Sequence, residues 1–150
     1  MSDHDASANP LKLVGMANRA FARLVDRPLR ELGFAIGQLP VLVALKKNTA
    51  LPQTELARIA RVEQPSMAQL LNRMERDGLV ERVPSPDDGR SRLISLSKEA
   101  SERMPQGKAV MDAASRQALA GFSKAEREQL GALLARVNEN LERALGDIDG

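Results

Sequence analysis

The chain has 150 residues, 28% of them charged and 43% hydrophobic, enough to bury a real core in one domain or in one compact unit with a helical appendage. Its net charge is only +2, so any affinity for nucleic acid has to come from local arrangement. The absence of Cys excludes a disulfide framework, a thiolate metal site and a thiol redox switch; with no apolar run near the about 18 residues of a membrane span and no signal-peptide pattern, a cytoplasmic address is expected.

Residues 1–8, MSDHDASA, read as a short polar tail that holds the single His, His4. Asn9-Pro10 supplies a helix N-cap and first helical position. Behind it Val14, Ala17, Phe21, Val25 and Leu32 recur at spacings of one helix face, predicting a long helix to about Glu31 with Pro28 as the place for a bend. Leu39–Leu45 predicts a second, shorter helix. NTALPQ at residues 48–53 is a breaker, and Thr54–Ala60 forms a third helix of about two turns. In RVEQP, residues 61–65, Gln64 is set to cap and Pro65 to take the first helical position, where a missing N–H costs nothing. Met67, Leu70, Leu71 and Met74 then make an apolar stripe, and the helix stops at Asp77-Gly78, Gly78 being free to turn left-handed.

Two short strands follow, Leu79–Val83 and Arg92–Leu96, joined by the charged loop SPDDGRS, residues 85–91. Ser97 opens a helix with Ala100, Met104, Met111, Ala118 and Phe122 near one face, in which Pro105 marks a kink or a start. Ser123 and Glu126 form a capping box ahead of a last helix with Leu130, Leu133, Leu134, Val137, Leu141 and Leu145 on one side. The fold class is mainly α with a small β-hairpin, α+β, in which residues 37–96 form a compact unit. Residues 9–36 and 97–150 carry more apolar face than a unit this small covers, and a second copy of the chain is the economical partner.

Three helices and a two-stranded hairpin is the winged helix-turn-helix arrangement, in which the second helix of the helix-turn-helix enters the major groove. Here Thr54–Ala60 supports and Pro65–Arg76 reads. With the apolar stripe inward, Ser66, Gln69, Asn72, Arg73 and Arg76 face out. Gln and Asn suit adenine, Arg forks onto guanine, Ser suits phosphate or base, and Pro65 suits a thymine methyl. Taken singly, each would serve any wet helix face; the placement after that turn and before that hairpin is what points to DNA. In the loop, Arg90 near the tip and Arg92 at the base fit a wing that enters a narrow, electronegative minor groove. Asp88 braces the Arg90 guanidinium or the neighbouring amides, and Gly89 eases the turn. No nucleophile–base set and no glycine-rich phosphate loop appears, so no enzyme and no cofactor or metal is expected.

The stretch Leu51–Ala100 resembles the core of the MarR family of bacterial transcriptional regulators: T-E-L-A at Thr54–Ala57, L-L-x-R-x-E-x-x-G-L-V-E-R from Leu70 to Arg82, D-x-R at Asp88–Arg90 and the closing L-I-S-L-S. EQPS at Glu63–Ser66 is similar to the SlyA-like branch. The resemblance implies a homodimer joined by its N- and C-terminal helices, with two winged domains on a pseudo-palindromic operator of double-stranded DNA; the chain is read as a transcriptional regulator, a repressor ahead of an activator. The reading of the helix and hairpin gives Gln64, Pro65, Arg76 and Arg92 as DNA contacts and Gly89 as wing support; the resemblance implies contacts from Ser66, Gln69, Arg73 and Arg90, with Asp88 as the wing's brace. It also implies release by a small aromatic or phenolic effector, for which Met16, Arg19 and Met74 are the candidate contacts. Two departures bear on affinity: Gln69 stands where SlyA-like members often carry Arg, and Gly89 where a second basic residue is frequent. They leave open a reading of another class, a dimeric protein-interaction module of the same fold with weakened DNA binding.

Overall fold

The computed structural model describes residues 9–149, so the tail with His4 lies outside the described residues. By its contacts the chain forms two units, Met1–Ala114 and Ser115–Gly150. In the first, α1 spans Pro10–Glu31, started by Asn9, whose side-chain oxygen accepts from the Leu11 N–H at 3.0 Å, and it runs through Pro28 without ending. A 3-10 turn at Ile36–Gln38 leads into α2, Leu39–Asn48. Then come β1, Ala50–Leu51; α3, Gln53–Ala60; and α4, Gln64–Arg76. Strands β2, Val80–Pro84, and β3, Arg92–Leu96, precede α5, Lys98–Ala118. The second unit is mostly α6, Lys124–Asp149. No single helix among the described residues is long and apolar enough to cross a membrane.

The expected hairpin is one strand short of the observed sheet. Ala50 pairs with Ser95 and Leu51 with Ile94, so the order is β1-β3-β2, all antiparallel. Two residues are too few to show the alternation that betrays a strand, and Thr49, at φ 64°, turns the chain into it. Strand β2 begins one residue later than expected because Leu79 is spent on the end of α4. Its N–H reaches the Met74 carbonyl at 2.9 Å and that of Gly78 reaches Glu75 at 3.1 Å, with Gly78 left-handed at φ 77°.

One continuous core gathers Val25 and Leu29 from α1, Phe34, Val41, Leu42 and Leu45 around α2, Leu56, Met67, Leu71 and Met74 from α3 and α4, Ile94 from the sheet, and Ala100 and Ala114 from α5. Helices α1 and α5 thus pack into the same core as residues 37–96. Ser97 ties this core to the end of α4. Its buried hydroxyl donates to the Gly78 carbonyl at 2.7 Å and accepts the Ala100 N–H at 3.1 Å, capping α5. Ser97→Ala is expected to cost about 1–2 kcal/mol of stability through both losses, read as a lower urea midpoint at unchanged slope. A shift of the midpoint indistinguishable from zero would contradict this role.

In the second unit the capping box forms as expected: the Ser123 N–H donates to Glu126 at 2.8 Å and the Glu126 N–H to the Ser123 hydroxyl at 3.1 Å. Among the described residues of α6 none is buried, although Leu130, Leu133, Leu134, Leu141, Leu145 and Ile148 share one face.

Candidate nucleic-acid interface

Helix α4 buries Met67, Leu71 and Met74 completely, with Leu70 half-buried beside them. That packing fixes the rotation of the helix and turns Ser66, Gln69, Arg73 and Arg76 outward, three, four and three residues apart, as one exposed stripe. Arg61, left-handed at φ 59°, ends α3 and makes the short turn. The helix starts one residue earlier than expected: Glu63 is the N-cap and Gln64 and Pro65 are the first two helical residues. Gln64 therefore does not cap; its side-chain oxygen accepts from the Gln53 amide at 3.1 Å. Gln64 and Pro65 are both exposed.

Along the stripe the cations differ. Arg76 faces Asp77 at 3.3 Å, an exposed pair of small energetic consequence. Arg73 makes no ion pair with any described residue. Asn72 lies at the stripe's edge and is held: Arg82 Nη2 donates to its side-chain oxygen at 2.8 Å while Arg82 Nε stands 3.5 Å from the Glu75 carboxylate, fastening β2 to α4. Nothing in the spacing of residues 72, 75 and 82 announces this clamp, because it depends on the path of the sheet.

The loop between β2 and β3 is built around Asp88. Its carboxylate accepts the Arg90 N–H at 3.0 Å and the Ser91 hydroxyl at 2.9 Å, while its carbonyl accepts the Ser91 N–H at 3.0 Å. Of the two bracing roles expected for Asp88, the amide is the one formed. The Arg90 N–H first, and the Ser91 hydroxyl second, hold the Asp88 carboxyl below its ordinary value. Because the folded value is the lower one, the bracing is complete above the usual carboxylate range and is lost as the pH falls through that lowered value. The side chain of Arg90 is exposed and free of ion pairs with described residues, as is that of Arg92, which opens β3 opposite Pro84. Gly89 does not supply a left-handed turn: the positive-φ glycines are Gly33, Gly78 and Gly121, and a Cβ at residue 89 would meet nothing within 4 Å.

The MarR family model matches residues 32–91. A crystal structure described as a probable transcriptional regulator from Pseudomonas aeruginosa is 31% identical and superposes with a TM-score of 0.78 over 88% of this chain and 98% of that one. The chain belongs to the MarR family. It is a transcriptional regulator of the MarR kind and not an enzyme. An uncharacterised helix-turn-helix regulator, YybA of Bacillus subtilis, is 26% identical over 133 residues, 89% of each chain. The fold is shared with a mutant MarR from E. coli complexed with operator DNA, 22% identical at a TM-score of 0.78, which covers 91% of this chain and 99% of its own.

Of the three residues expected to meet an effector, the structure buries one and exposes two. Met74 is a core residue with 0% exposure, so its thioether packs against protein. Met16 and Arg19 lie on the exposed side of α1. A methionine at helical spacing looks the same from sequence whether it fills a core or a pocket.

Proposed function

We propose that this chain is a homodimeric, sequence-specific repressor that binds a pseudo-palindromic operator in double-stranded DNA in the cytoplasm and leaves it when a small effector binds. Residues 37–96 read the DNA, Ser66, Gln69, Arg73 and Arg76 in the major groove and Arg90 and Arg92 in the minor groove. Gln64 and Pro65 meet the edge of the major groove at the N-terminal end of α4. The observation that carries this reading is the pairing of a single exposed α4 stripe with a loop arginine whose backbone is braced and whose side chain is free. The fold it shares with an operator-bound MarR supports the same docking. The second copy is argued from α6 and from Leu11, Val14 and Leu24 of α1, apolar and exposed in the single chain.

Salt tests the reading against the protein-interaction alternative. Displacing counterions from several phosphates makes log affinity fall linearly with log salt, by about 0.9 per phosphate contact. A steep fall for a labelled duplex is expected; binding that is absent, or flat from low to physiological salt, rejects it. Gly89→Lys adds a second cation at a tip with room for it. It is expected to tighten binding at low salt and to steepen the slope by about 0.9. An unchanged slope would remove the loop from the interface.

A further inference from the structure

Asn72 follows Gln69 by three residues on α4, which puts it about 60° round the helix, on the flank that β2 covers. It is exposed, at the edge of the stripe proposed to read the major groove. A side-chain amide has an oxygen that accepts and a nitrogen that donates, and a free one turns either outward. Arg82 removes that choice. A guanidinium carries donors only, so the atom that meets Arg82 Nη2 at 2.8 Å has to be the Asn72 oxygen. The charge on the donor strengthens the bond.

Arg82 is itself held. It stands on β2 opposite Ile94, its Nε lies 3.5 Å from the Glu75 carboxylate, and only 30% of its side chain is exposed. The orientation of the Asn72 amide is therefore set by the protein before any ligand arrives. Toward that ligand it has two N–H groups to give. Its oxygen keeps a second lone pair, but an amino group brought there meets the donors of Arg82, like against like.

In the major groove adenine presents an acceptor, N7, beside an amino donor, and an Asn that pairs with it uses both of its own polar atoms. Guanine presents two acceptors, N7 and O6. We propose that Arg82 makes Asn72 a donor-only reader, which selects guanine over adenine at one base pair of each half-site. Arg82 is a positioning residue here, acting through Asn72. Gln69, which no such clamp holds, is left as the amide that pairs with adenine. The inference rests on the DNA-binding reading above and names the base chemistry of that same surface.

Selection by the intact protein from a randomised duplex library tests it, at about 150 mM salt, where weak non-specific binding is suppressed. In the sequenced bound fraction the wild type is expected to prefer guanine to adenine roughly two- to tenfold at one position per half-site, the worth of one net hydrogen bond. Asn72→Ala is expected to flatten that position and to leave the others unchanged. Arg82→Met keeps the apolar stem and removes the donors; it is expected to admit adenine there, raising the adenine-to-guanine ratio about threefold or more. Asn72→Ala lies at an exposed site, so it keeps the test decisive even where Arg82→Met lowers stability. Three results overturn the proposal while the DNA-binding reading stands: no position flattened by Asn72→Ala, an adenine preference at the position it flattens, or a base preference indifferent to Arg82→Met in folded protein. No enriched sequence from the wild type overturns that reading, and the proposal with it.

Discussion

Arg90→Ala is expected to weaken operator binding by about 1.5–3 kcal/mol, the worth of a hydrogen bond to a charged group, or roughly 10- to 150-fold. The reason is that Arg90 does nothing for the fold: its side chain is exposed and has no ion-pair partner among the described residues, while its backbone N–H is fixed by Asp88 at 3.0 Å. The loss should therefore appear in affinity and in the salt slope, with the unfolding midpoint and the oligomeric state unmoved. Asp88→Asn should move affinity the same way by less, because an amide oxygen accepts the Arg90 N–H less strongly than a carboxylate. Wild-type affinity for Arg90→Ala at physiological salt would contradict the proposed wing.

The second large effect is on assembly. Leu134→Glu combined with Leu141→Glu places two carboxylates on the apolar face of α6, where Leu141 is 49% and Ile148 79% exposed in the single chain. Burying a leucine side chain contributes about 1.5–3 kcal/mol, and in a two-fold dimer each substitution acts twice. Dissociation to monomer at micromolar protein is expected by sedimentation, with loss of operator binding, since one half-site contact replaces two. The core of residues 25–114 contains neither leucine, so its cooperative unfolding should survive. A variant that stays dimeric shows that α6 is not the joint.

Much of this was legible in the residues, and the exceptions share a physical cause. Asn9-Pro10, Ser123 with Glu126, and Gly78 are local devices: each satisfies backbone groups within four residues of itself, so spacing alone reveals it. The inward stripe of Met67, Leu71 and Met74 follows from helical period, and it fixes by elimination which α4 residues face out. Strand β1 is hidden because it is only two residues long and is defined by its partners in β3. The choice of Glu63 over Gln64 as N-cap was invisible for another reason: Pro is tolerated at either of the first two helical positions, so Pro65 leaves the start ambiguous by one. The Asn72–Arg82–Glu75 clamp is tertiary, assembled from residues that no sequence spacing relates. Met74 shows the same limit from the other side, as a residue whose type fits a ligand but whose place in the packing is the core.

The most direct test of the central reading is to expose the purified protein to sheared genomic DNA from its own source at about 150 mM salt, where weak non-specific binding is suppressed, and to sequence what is retained. Enrichment of a few fragments that share an inverted repeat with half-sites about one helical turn apart is the predicted result. Folded, dimeric protein that retains no fragment above the input distribution would contradict it.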